Sequence, residues 1–246
     1  MVRLARPLTG SQSDPGSKRD PAFSSESLRD LRARMRWVVK RLRELLELPP
    51  AAMNEIAGDE GDPFEVLVGT VISLRTKDEV TVPATRRLLA LAPDPASLER
   101  LPAAKIEKAI YPAGFYRTKA KHLRAIARLL RERHGGRVPD RMEELLALPG
   151  VGRKTANLVL LLGHRIAALC VDTHVHRVSN RLGFVQTRKP DETERVLRER
   201  LPRPLWWDYN ELLVRFGRKV CTPLSPWCST CVVAARCPRI GVTRSR

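Results

Sequence analysis

From Leu28 onward apolar residues recur at helical spacing almost without a break, and no sustained period-2 alternation marks a strand. Leu28–Leu46 carries apolar i, i+3, i+4 positions behind a capping Ser27. Phe64, Leu67, Val68, Val71 and Ile72 form one stripe of a helix opened by Pro63 at a first-turn position. Further helices are predicted over Val82–Leu91, Ala104–Tyr111 and Arg117–His134, the last stopped by Gly135 and Gly136. Asp140 and Glu143 predict a capping box ahead of a helix over Met142–Leu148. Helices follow at Arg153–Gly163, Thr173–Leu182, near Asp191–Leu201 and over Leu205–Phe216. The fold class is all-α, with short helices and short loops that suit a compact body better than a long bundle. Residues 1–26 break the pattern: rich in Ser, Pro, Gly and charge, they read as a disordered tail.

Composition narrows the partners. A chain of 246 residues with 43% apolar content can bury a substantial core. No apolar run reaches membrane-spanning length, and no signal-peptide core is present, so a monomer of the reducing cytoplasm is expected, with no membrane partner. The Arg- and Ser-containing N-terminus is a weaker match to an organelle transit peptide, because acids are interspersed in it. Forty-five Lys and Arg stand against 27 Asp and Glu, a net charge of +18. Arg3, Arg6, Lys18 and Arg19 against Asp14, Asp20 and Glu26 leave only one net positive charge in the tail, so the basicity belongs to the folded body. A preference for arginine codons explains Arg over Lys but not the shortage of acids. Charge spread along the chain, and not gathered on one amphipathic helix, favours nucleic acid over a membrane surface.

The candidate chemistry begins at Leu148-Pro149-Gly150-Val151-Gly152, between two helical stretches. Gly150 and Gly152 let the backbone turn with its N–H groups outward at the start of the next helix, an arrangement that holds a phosphate without reading bases. An ordinary helix–turn–helix corner has the same composition. Lys154 falls in the first turn of that helix, where the helix dipole disfavours a cation. It is either an exposed lysine of little cost or an amine whose pKa is depressed for nucleophilic attack. Asp172, in Val171-Asp172-Thr173-His174, is a good helix N-cap and also a carboxylate able to stabilise charge on a sugar that is losing its base. His174 and His176 are two apart on one helix and face differently, so they are read as structural or DNA-facing, not as a metal pair.

Cys221, Cys228, Cys231 and Cys237 place four thiols within 17 residues, among Pro223, Pro226 and Pro238. That density points to metal ligation in a chain with an odd cysteine count and no secretion signal. Spacing alone admits structural zinc, the commoner occupant, or an iron–sulfur cluster. Cys170 stands apart and reads as a buried small hydrophobe.

Together LPGVGRKTA at 148–156, VDTHVHRVSNRLG at 171–183 and C-x6-C-x2-C-x5-C at 221–237 resemble the endonuclease III family of helix-hairpin-helix DNA glycosylases. The resemblance spans about residues 28–240. A lysine at 154 and the absence of an extra C-terminal domain separate it from the related adenine-removing enzymes. It implies a [4Fe-4S] cluster on the four cysteines. It also implies two helical domains: a six-helix barrel over 55–165 with the hairpin, and a cluster domain made of 27–54 plus 166–246. DNA containing damaged bases or abasic sites would lie between them, in a bacterial nucleoid-associated setting. The implied reaction flips an oxidised pyrimidine out of the duplex; Lys154 attacks C1′, Asp172 assists, and β-elimination cuts the strand.

Three positions depart from the family pattern. Arg75, in Ser73-Leu74-Arg75-Thr76-Lys77-Asp78, stands where a glutamine usually fills the gap left by the flipped nucleotide. Phe115, in Ala113-Gly114-Phe115-Tyr116, stands where an apolar residue, commonly leucine, wedges between bases. Phe115 is expected to be exposed and to stack there. The Thr222–Trp227 loop lacks the basic residue many relatives carry, leaving Arg218, Lys219, Arg236 and Arg239 as substitutes. Two alternatives remain at this level: a lesion-binding protein with little catalysis, and a glycosylase for mismatched or photodamaged pyrimidines.

Overall fold

The computed structural model describes residues 26–44, 51–58 and 61–246. Among them every regular element is helical and none is a strand. Helix α1 (Leu28–Arg43) starts as predicted, with the Ser27 hydroxyl accepting from the Asp30 N–H at 3.1 Å. Glu26 pairs with Arg34 at 2.7 Å. The tail predicted over 1–26 otherwise lies outside the described residues, as does the predicted run of α1 to Leu46.

Helices α2 (Ala52–Ala57) and α3 (Pro63–Ser73) follow. Asp62 caps α3 by accepting from the Phe64 and Glu65 N–H groups. The predicted stripe of α3 is buried, and so are Val66, Gly69 and Thr70 on its other faces. A helix apolar all round belongs at the centre of a core. Its β-branched residues cost only tenths of a kcal/mol each in helix propensity, against about 1.5–3 kcal/mol for each large apolar side chain buried.

Helix α4 (Asp78–Leu91) starts four residues before the predicted Val82 and carries Pro83 inside it. Pro83 is close enough to the N-terminus that its missing N–H forfeits one early bond without breaking the helix. Helix α5 (Pro95–Arg100), like α2, went unpredicted, because six residues hold less than two turns of periodic signal. Helix α6 (Ala103–Ile110) leads to α7 (Tyr116–His134), which stops at Gly135 in the left-handed conformation while the Gly136 N–H donates to Leu130 O at 2.9 Å. Helix α8 (Met142–Leu146) corrects the sequence reading: Arg141 occupies the N-cap with no side-chain bond. Asp140 therefore sits one residue too early to cap, and no box with Glu143 forms. Helix α9 (Arg153–Leu158) runs into a wider π-type turn, Val159–Gly163. Helices α10 (Thr173–Arg181), α11 (Pro190–Arg200) and α12 (Trp206–Lys219) complete the set.

The side chains form two hydrophobic cores. The first gathers Leu67, Ile72, Leu88, Ile106, Leu123 and their neighbours from α2 to the turn after α9. The second joins Met35, Val38 and Leu42 of α1 to Val178, Leu197, Tyr209 and Phe216 of α10–α12. Between them, alternate residues of one short segment divide: Ala168 and Cys170 enter the first core, Leu169 and Val171 the second. Residues that alternate sides in this way pin the segment along the seam. Asp172 is the next residue, so the seam sets its position.

Candidate active site

The hairpin between α8 and α9 needs glycine at 150 for two reasons. Gly150 has φ 77°, and a Cβ there would collide with Nδ1 of His122 on α7. Gly152 is different, because a Cβ there would meet nothing of the protein, so the space over the start of α9 is open. Val151 is a core residue, and its N–H turns inward to donate to Leu148 O at 3.1 Å. Any anion held at this turn meets the neighbouring amides, not that of Val151.

Lys154 and Asp172 come together across the seam, with Nζ 4.0 Å from Oδ2. The two oxygens of Asp172 divide the labour. Oδ1 caps α10, accepting from the His174 N–H at 2.8 Å and the Val175 N–H at 2.9 Å, while Oδ2 faces the lysine. One carboxylate thus both caps α10 and faces Lys154. The Lys154 side chain is 43% exposed and that of Asp172 13%, so solvent-side access is to the amine. Cys170 is fully buried beneath them, and burial pushes its thiol up to about 12, a neutral apolar filler as its isolation suggests.

Beside the lysine, Arg153 makes a two-pronged pair with Glu194 at 2.8 and 3.1 Å, and Arg198 shares the same carboxylate at 2.9 Å. Burial alone would raise the Glu194 carboxyl, but the two guanidinium partners outweigh it and hold it below the usual range. His174 and His176 are half-buried and do not share a site: His176 Nδ1 lies 2.7 Å from the Thr193 hydroxyl and His174 Nδ1 3.2 Å from Arg177.

Arg75 and Phe115 meet between the turn after α3 and the turn before α7. Both are non-glycine residues in the left-handed region, φ 51° and 57°, and the Arg75 guanidinium lies 5.5 Å from the Phe115 ring centroid. Phe115 is 62% exposed, as the turn composition predicted. Backbone strain of order 1–3 kcal/mol per residue persists only where surroundings enforce it. The enforcer here is Lys119, which no motif singled out. Its buried ammonium donates to Ile72 O at 2.7 Å, Leu74 O at 2.5 Å and the Thr76 hydroxyl at 2.8 Å. The same Thr76 oxygen accepts from the Gly114 N–H at 3.1 Å, and a Cβ on Gly114 would collide with Arg75 O. One lysine therefore ties the end of α3 to both exposed turns. Its place on the apolar stripe of α7 beside Ala120 and Leu123 is the signal that could have revealed it.

Burial lowers the Lys119 pKa from 10.5 to about 8. Between those values the unfolded chain binds more protons than the folded one, so stability is expected to rise with pH across that window and to be flat below it. Lys119→Met should remove that rise and cost about 1–3 kcal/mol, because three acceptors lose their donor. Chemical denaturation at pH 7.5 and 10 checks both.

The four cysteines line a single cavity with Arg181, Phe216, Val220, Trp227, Val233 and Arg239, and no carboxylate joins them. Arg181 donates to Cys221 Sγ at 3.5 Å, Thr222 O at 2.7 Å and Pro223 O at 2.6 Å, and Arg177 donates to Cys221 O at 3.1 Å. Burial pushes the Cys231 and Cys237 thiols up, and the neighbouring cysteine sulfurs push the same way. A cationic centre would reverse that cost, so the donor set suits a thiolate-bound group. Among the described residues, no three His, Cys, Asp or Glu converge as a single ion requires.

Of the basic residues proposed to serve the cysteine loop, Arg218 pairs with Asp78 at 2.5 Å and Arg236 lies over Trp37 at 4.8 Å. Arg239 lines the cysteine cavity, and Lys219 is exposed on a broad cleft that it shares with Lys77, Asp78 and Arg86. Lys154 and Asp172 do not line that cleft. Arg246 also reaches this loop: its guanidinium lies 4.4 Å from the Trp227 ring centroid.

A hairpin open to an anion, a lysine–carboxylate pair behind it and a strongly basic all-helical body define a DNA-processing class. The family model for the HhH-GPD superfamily base excision DNA repair protein matches residues 68–203, from α3 through the hairpin to the turn after α11. Within that class, endonuclease III of Thermotoga maritima is 49% identical over 178 residues, 72% of this chain and 84% of that protein. A solved non-covalent endonuclease III–DNA complex superposes with a TM-score of 0.75 at 30% identity, covering 85% of this chain and 95% of the other. A trapped endonuclease III–DNA covalent intermediate gives 0.71 at 32% identity, covering 83% and 96%. The chain belongs to the endonuclease III family, and it is a base excision repair DNA glycosylase.

Proposed function

We propose that the chain removes oxidised pyrimidines from duplex DNA and cuts the strand at the resulting site, with Lys154 as nucleophile and Asp172 as its electrostatic partner. The observation that carries this is the 4.0 Å Lys154–Asp172 pair, in which the cap frees one carboxylate oxygen to face the amine. The amine of Lys154 bonds to C1′ as the C1′–base bond breaks and gives up a proton to the departing base, and Oδ2 of Asp172 stabilises the positive charge that builds on the sugar. The C1′–O4′ bond then opens as O4′ takes up a proton, which gives the Schiff base, and loss of a C2′ proton from it expels the 3′ phosphate. The trapped covalent complex of a relative agrees with an enzyme–DNA bond on this route.

Around that pair the amides of Gly150 and Gly152 and the start of α9 hold a backbone phosphate. Arg75 and Phe115 enter the duplex as a pair, Arg75 into the space the flipped nucleotide leaves and Phe115 as the stacking wedge. The two cores support a barrel domain and a cluster domain, with DNA on the chromosome bound between them. Met53 and Ala57 pack in the first core, so we place the boundary before α2 instead of inside it.

We assign the cysteine cavity to a [4Fe-4S] cluster held by Cys221, Cys228, Cys231 and Cys237. When bound, it would supply a cationic core that offsets part of the charge of four thiolates and would tie the loops of the C-terminal segment together. Anaerobically purified protein should be coloured and carry about four irons per chain. Colourless protein with one zinc per chain would overturn the assignment.

A panel of thymine glycol, dihydrouracil, mismatched thymine and photodamaged duplexes under single-turnover conditions tests the substrate class. The oxidised pyrimidines should be cut fastest. Cleavage confined to mismatched or photodamaged substrates would replace oxidised pyrimidines as the substrate. Tight binding to abasic DNA without turnover would make the chain a lesion sensor.

A further inference from the structure

A second basic site lies where α1 crosses the end of α11. Arg32, Arg36, Arg198 and Arg203 line one concavity of about 370 Å³ together with Glu199 and Trp206. Four guanidiniums face a single carboxylate there. Arg32 spends its donors on two backbone carbonyls, Arg200 O at 3.1 Å and Glu199 O at 3.0 Å. Arg198 is held by Glu194 and by Asn157 Oδ1, at 2.9 and 3.1 Å. The Trp206 ring fixes two of the four, with Arg198 5.3 Å and Arg203 5.8 Å from its centroid. Arg36 and Arg203 are exposed, and neither has an ion-pair partner among the described residues.

Guanidiniums gathered with too few acids repel one another, and their planar donor forks match phosphate oxygens. Continuity with the hairpin identifies which phosphates. Glu194 binds Arg198 of the concavity and Arg153, the first residue of α9, through the same carboxylate. One carboxylate therefore joins Arg153, beside the hairpin, to Arg198, which shares its concavity with Arg36 and Arg203.

We propose that this concavity binds the phosphodiester backbone of DNA flanking the segment held at the hairpin, with Arg36 and Arg203 as its unpaired contacts. The proposal rests on the reading of the hairpin as a phosphate clamp. Each cation that neutralises a phosphate adds roughly one to the slope of log affinity against log salt.

Binding of the full chain to lesion-free and abasic-analogue duplexes of about 10 and about 30 base pairs, over a salt series, tests this. On the longer duplex Arg36→Ser with Arg203→Ser should lower the slope by about two and weaken binding about tenfold or more, with less than a twofold change on the short one. Arg36→Ser alone should lower the slope by about one, and Arg36→Lys with Arg203→Lys should retain it. An unchanged slope on the longer duplex, or an equal loss on both lengths, would overturn the proposal. Titration with inorganic phosphate separates the sources: phosphate binding that the double variant abolishes while the DNA slope stays unchanged would make this a free-anion site. A wild-type protein that binds both duplexes but forms no covalent adduct would count against Lys154, leaving the slope comparison intact.

Discussion

Lys154→Ala should abolish strand cleavage and covalent capture together, lowering single-turnover base release by on the order of 10⁴-fold while lesion DNA still binds. The side chain is 43% exposed and, among the described residues, makes no hydrogen bond that holds the fold, so its removal should take away little packing. The backbone around it is fixed by the seam beneath, where Cys170 Sγ approaches Lys154 O at 3.8 Å. An unchanged denaturation midpoint with lost turnover is the expected combination. Lys154→Arg should be equally inactive, because a guanidinium stays protonated and cannot attack carbon.

Asp172 gives the second large effect, and its two substitutions separate its two jobs. Asp172→Asn keeps an oxygen able to accept from the His174 and Val175 N–H groups, and Asn caps helices as well as Asp does. Stability should therefore stay within a few tenths of a kcal/mol, while removal of the charge facing Lys154 lowers the rate by about 10²–10³-fold. Asp172→Ala should lose the same rate and also about 1 kcal/mol of stability, because α10 loses its cap. If Asp172→Asn kept full activity, the carboxylate would be only a cap. Single-turnover kinetics paired with urea denaturation distinguishes these outcomes.

Much of this site was legible because its motifs are local. Gly150, Lys154 and Asp172 sit at helix ends, where capping and turn chemistry leave a mark in sequence, and the apolar stripes placed α3 and α7 to within a residue. The misses share a cause: they depend on contacts distant in the chain. Val151 lies between the two glycines of the turn, and only the fold shows its N–H closing back on Leu148. Lys119 hides on an apolar stripe, and its three acceptors come from residues more than forty positions away. Arg181 reaches the cysteine loop in the same way. Asp140 failed as a cap because a helix start is fixed by where the chain packs, and one residue of slip moves every capping partner. The shared strain of Arg75 and Phe115 is likewise a property of two turns pressed together, and neither turn shows it alone.

The most direct test is to reduce the enzyme–DNA complex with borohydride on a thymine glycol duplex, digest it and locate the modified peptide by mass spectrometry. One adduct is expected, on the peptide containing Lys154, and none after Lys154→Ala. An adduct on any other residue, or base release by the wild type with no reducible adduct, would contradict Lys154 as the nucleophile.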